Sequence, residues 1–70
     1  MAPRAVWNVY EPDNTEPITV LNGRFDLSEL IDELTPFLQE RYTEPVIITV
    51  VNSRTLVAYQ FPFTPEVPVE

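Results

Sequence analysis

The sequence predicts an α+β fold, a small ββαββ domain in which a four-stranded antiparallel sheet carries one kinked helix on one face. Three observations predict it. Leu27, Leu30, Ile31, Leu34, Phe37, Leu38 and Tyr42 recur at helical spacing, the stripe of a helix buried on one side. Two extended apolar runs precede that stripe and two follow it, each pair separated by turn-forming residues. With 70 residues and no Cys, the chain can build only one small core, near the lower limit of independent folding.

The first strand is Ala5 to Tyr10. Ala5, Trp7 and Val9 share one face of an extended chain, and Val6, Asn8 and Tyr10 share the other. The next segment, EPDNTEP, reads as a hairpin loop: Pro12 presets φ, and Asp13 and Asn14 tolerate tight or left-handed geometry. A second strand, Ile18 to Leu21, runs into Asn22-Gly23. That dipeptide is a strong hairpin signal, but helical periodicity begins so soon afterwards that a turn launching the helix is the preferred reading.

Asp26 stands where an N-cap is needed, and Glu29 is placed as its reciprocal partner in a capping box. Pro36 falls in the third turn, where it removes a backbone hydrogen bond at a cost of roughly 3 kcal/mol. A kink near Thr35 is expected, or a second short helix starting at Pro36 with Thr35 as its cap; Pro45 ends the helical region. Val46 to Val51 is apolar on both faces apart from Thr49, as an interior strand is. Asn52-Ser53-Arg54 then forms a tight connection to a last strand, Thr55 to Phe61. The crossover through the helix makes the second and third strands run the same way, leaving room for the first between them, so the sheet order expected is 2-1-3-4. Residues 1–61 form the single domain. Residues 62–70, with Pro62, Pro65 and Pro68, form an extended proline-rich arm.

Eleven acidic residues against four arginines give a formal net charge of −7. That balance argues against direct binding to nucleic acid or to an anionic membrane surface. The opening residues lack a continuous apolar stretch, so a cytoplasmic location is expected. There is no His, Cys or Lys, which removes most metal, Schiff-base and activated-nucleophile chemistry, and the single Gly provides no phosphate-cradling loop. Ser28 and Ser53 have no His or Lys to activate them. Asp13, Asn14 and Glu16 lack the spacing of a calcium loop. No catalytic residue, cofactor or metal is assigned.

What remains is surface. Asp26, Glu29, Asp32, Glu33 and Glu40 fall away from the Leu stripe. They form either an ordinary solvated helix face or a row of carboxylates that mimics a phosphate backbone and occupies the groove of a basic nucleic-acid-binding protein. A second candidate surface is aromatic: Trp7 and Tyr10 cannot both point at the helix, and Tyr59, Phe61 and Phe63 add to it. One helix covers one face of a sheet. The other face needs the arm, a second copy of the chain, or a different protein. The function expected is a non-enzymatic acidic inhibitor or regulator that occupies a protein partner, of a kind common among phage and mobile-element proteins. The alternative is a homo-oligomeric structural or assembly subunit.

Overall fold

The computed structural model describes residues 3–66 and has the expected ββαββ order: β1 (Ala5–Tyr10), β2 (Thr19–Gly23), α1 (Leu27–Arg41), β3 (Val46–Asn52) and β4 (Val57–Phe63). The four strands form one antiparallel sheet in the order β2-β1-β3-β4. β1 therefore sits between two strands that run parallel to each other, the arrangement that the crossover demands.

Strand parity decides what is buried. Ala5, Trp7 and Val9 point at the helix, and the register places Leu21 beside Trp7, Val50 beside Val9 and Phe61 beside Ile48 on that same face. Leu30, Leu34 and Leu38 of α1 pack onto it, with Ile48, Val50, Phe61 and Phe63 completing the core. Fully burying one such side chain contributes about 1.5–3 kcal/mol.

The capping box forms as expected. The Asp26 carboxylate accepts from the Glu29 N–H at 2.8 Å, and the Glu29 carboxylate accepts from the Asp26 N–H at 3.3 Å. The helix continues through Pro36 rather than starting again there. Pro36 is exposed, so the Asp32 carbonyl that loses its intrahelical donor lies at the wet side of the helix. In the preceding turn the Thr35 hydroxyl donates to the Ile31 carbonyl at 2.8 Å. Beyond Arg41 the Tyr42 N–H closes the last turn on the Leu38 carbonyl.

Three boundaries differ from expectation. Asn22-Gly23 is neither a hairpin turn nor the launch of the helix: both residues lie inside β2, paired with Val6 and Ala5. A Cβ on Gly23 would sit 2.7 Å from the Phe25 ring, so a larger residue there would have to displace that side chain. The β3–β4 connection is longer than expected and takes in Thr55 and Leu56. The Asn52 side chain accepts from the N–H groups of Arg54 and Thr55, and the Leu56 N–H donates to the Asn52 carbonyl. This geometry forces Leu56 to φ 61°, a left-handed conformation costing a non-glycine residue about 1–2 kcal/mol.

The third difference lies in the proline-rich arm. Pro62 and Phe63 belong to β4, where an outer edge strand tolerates a residue without an N–H. Pro65 is buried, and the Gln39 side-chain amide holds Glu66 at two points, donating to its carbonyl at 2.6 Å and accepting from its N–H at 3.0 Å. The chain thus turns to the helix side after β4. The rest of the expected arm, Val67 to Glu70, lies outside the described residues.

Replacing Pro36 with Ala restores the missing N–H and removes the ring clash, offset in part by a less constrained unfolded chain. We expect Pro36→Ala to stabilise the fold by about 1–2 kcal/mol, seen as a rise of several degrees in the thermal midpoint. An unchanged or lower midpoint would show that the helix does not bear this strain.

Candidate interaction surfaces

Among the described residues there is no cleft or cavity, and no group of acidic residues is placed to hold a metal ion. No helix among them is long and apolar enough to cross a membrane. The molecule is a slab with Cα extents of 43 × 27 × 15 Å. Its thinnest dimension corresponds to one helix layer on one sheet layer.

The helix surface is acidic. Asp26, Glu29, Asp32, Glu33 and Glu40 are all exposed. At 100° per residue Glu29, Glu33 and Glu40 fall on one flank, whereas Asp32 is turned from them toward the flank that carries Gln39. Asp26 and Glu29 already use their carboxylates in the capping box. Among the described residues Asp32, Glu33 and Glu40 make no hydrogen bond or ion pair, which leaves their full charge facing solvent.

The aromatic surface expected from the sequence does not assemble. Trp7 is 4% exposed, and Phe61 and Phe63 are each 8% exposed. All three face α1, on the same strand parity as Val9, Val50 and Ile48. They are core residues. Tyr10 stands on the opposite face and is half-buried. Tyr59, 39% exposed, sits on the helix-side face of the edge strand, its ring 6.1 Å from that of Trp7. The indole N–H of Trp7 is buried without a hydrogen-bond partner among the described residues.

The surface that does assemble is the sheet face turned away from α1. Parity and register place Val6, Asn8 and Tyr10 of β1 there, with Val20 and Asn22 of β2. From β3 and β4 come Ile47, Thr49, Val51, Ala58, Gln60 and Pro62. Within the strands this face carries no carboxylate and no guanidinium. Ile47 is 48% and Val20 is 50% exposed. Tyr10, Thr49 and Gln60 form one row across three strands, and the Gln60 amide donates to the Thr49 hydroxyl at 3.4 Å.

Sequence reasoning also missed a polar junction at the C-terminal end of the helix. The Tyr42 hydroxyl donates to Glu11 at 2.6 Å, and the Arg41 guanidinium donates to Glu11 and to the Tyr42 oxygen, each at 3.3 Å. Asn14 adds a further donor to Glu11 from within the loop. The residues lie 30 positions apart with no recurrent spacing, so nothing in the sequence marks them. Chiefly through the Tyr42 hydroxyl, these donors hold Glu11 below the ordinary glutamate value. Partial burial first, then the bond to Glu11, push the Tyr42 phenol above its usual range.

Two outcomes follow from these placements. Because Glu11 has a lowered pKa in the folded state, the unfolded chain binds more protons at acidic pH, and its contribution is lost as pH falls below about 4.5. Urea unfolding at neutral and acidic pH should show a smaller acid-induced loss for Glu11→Gln than for the native chain; equal losses would contradict the junction. The single tryptophan should emit with a blue-shifted maximum, resist quenching by iodide, and shift red on unfolding. A red-shifted native spectrum would contradict its burial.

Comparisons with protein-family models, with curated proteins and with solved structures find no match to this chain.

Proposed function

We propose that the protein is a non-enzymatic inhibitor or regulator that works by occupying the surface of a basic, nucleic-acid-binding protein. The observation that carries this proposal is the exposed acidic surface of α1, on which Asp32, Glu33 and Glu40 make no hydrogen bond or ion pair among the described residues. From Asp26 to Glu40 the axis rises about 21 Å at about 1.5 Å per residue, so the five carboxylates Asp26, Glu29, Asp32, Glu33 and Glu40 are on average about 5 Å apart, with none between Glu33 and Glu40. A single nucleic-acid strand carries one phosphate per about 3.4 Å of axis, and a duplex about twice that density. The helix is thus a sparser line of negative charge than one nucleic-acid strand, carried on a scaffold fixed at its start by the capping box and at its end by the Glu11 junction.

A surface of one sign steers an oppositely charged partner and orients it before contact. Binding of this kind needs no catalytic group and no cofactor, which suits a chain without His, Cys or Lys. Its net charge of −7 repels nucleic acid itself, so the partner is the protein whose nucleic-acid groove is blocked. The cytoplasm, where such partners are found, is the proposed location.

The test uses a variant that spares the cap: Asp32→Asn with Glu33→Gln and Glu40→Gln. Immobilised native chain should retain basic nucleic-acid-binding proteins from a host lysate at low salt and release them at high salt or on addition of duplex DNA. The triple variant should retain far less of the same proteins. Equal recovery on the variant, or recovery insensitive to both salt and DNA, would overturn the proposal.

A further inference from the structure

We propose that the sheet face turned away from α1 is a self-association surface and that its occupant is a second copy of this chain. This inference is independent of the acidic helix flank and would stand if that flank bound nothing.

The first argument is the path of the chain. After β4 it turns to the helix side, where Gln39 holds Glu66 and Pro65 is buried. The described part of the chain thus leaves the open face uncovered.

The second argument is charge. A chain with net charge −7 can approach its own copy only where its carboxylates are far away. The open face supplies that: no strand residue on it is ionised at neutral pH, and the helix carboxylates lie on the other side of the slab. Two sheets packed about 10 Å apart, each backed by a helix about 10 Å thick, place the two acidic flanks roughly 30 Å from one another. At physiological ionic strength the screening length is about 8 Å, so their repulsion is largely suppressed. Any approach through the helix side would instead set like charges together.

The third argument is self-complementarity. The Thr49–Gln60 row is polar; Ile47 and Pro62 lie on one side of it, Val51 and Ala58 on the other. A two-fold axis along the polar row would lay that row on its own copy and bring Ile47 and Pro62 of one chain onto Val51 and Ala58 of the other. Over β3 and β4 polar groups meet polar groups and apolar meet apolar, as an isologous interface requires, while Asn8 and Asn22 lie to one side on β1 and β2. Thr49 and Gln60 supply donors and acceptors to their counterparts across the axis.

The area sets the strength. Four strands at about 4.8 Å and five residues at about 3.3 Å give a face of roughly 19 by 17 Å. Two such faces bury less than the approximately 1,200 Å² of a standard stable interface, so the dimer is weak and concentration-dependent.

Sedimentation and light scattering on the full chain, up to about 1 mM so that an interface below roughly 1,200 Å² can still assemble, test this directly. The mass should rise from 8.1 kDa toward twice that value with concentration. Added salt should leave the association unchanged or strengthen it. Ile47→Glu with Val51→Glu should hold the mass at 8.1 kDa throughout, with the circular dichroism of the native fold, whereas Leu56→Glu at the hairpin tip should dimerise like the native chain. Because the salt response is read on the native chain, the proposal stays testable should the double variant fold poorly. A mass fixed at 8.1 kDa up to the highest concentration would overturn the proposal, as would association that salt dissolves or that Ile47→Glu with Val51→Glu leaves intact.

Discussion

One helix about 10 Å across lies on a four-stranded sheet about 19 Å wide, and the rest of the structure follows from that mismatch. A single helix cannot roof such a sheet on one side and leaves the other side bare. On the helix side the shortfall is met by wide side chains. Trp7 from a central strand and Phe61 and Phe63 from an edge strand extend the core that Leu30, Leu34 and Leu38 begin. Where no wide side chain is sheltered, as at Val57 and Tyr59, the sheet stays partly wet. On the far side no described segment covers the strands, which carry a mixed apolar and amide surface without charge.

The same constraint explains why the small fold spends polar contacts at the margins of its helix. Asp26 and Glu29 close its first turn, Glu11 ties its end to the loop after β1, and Gln39 fastens the segment after β4 to its flank. Each joins an element to α1 where apolar contact is thin. In a domain this small such bonds help to keep the helix seated.

Much of the fold was legible in the sequence, because periodicity is a direct record of burial. The helical stripe, the cap at Asp26 and the alternation of Ala5 to Tyr10 each left a local signature, and the requirement that β2 and β3 run parallel fixed the strand order. The surfaces were legible only in part. Alternation showed that Trp7 and Tyr10 lie on opposite faces but not which face the helix would take, so Trp7, Phe61 and Phe63 were expected at the surface and are core. The polar junction and the Gln39 clamp join residues about 30 positions apart through single side chains and leave no spacing to read. The proline-rich segment looked like an extended arm because proline forbids a regular ladder; its described part, residues 62–66, joins the fold because an edge strand and a side-chain amide need no ladder there.

Ile47 and Ile48 test the two-sided sheet most directly. They are adjacent and chemically identical, but one is 48% exposed on the open face and the other 0% exposed beneath the helix. Denaturant unfolding of the dilute monomer should show Ile48→Ala losing about 2–5 kcal/mol, enough to unfold much of a domain this small, and Ile47→Ala losing less than about 1 kcal/mol. Comparable losses at the two positions would mean that both faces are covered, and the account of a sheet with one open side would be wrong.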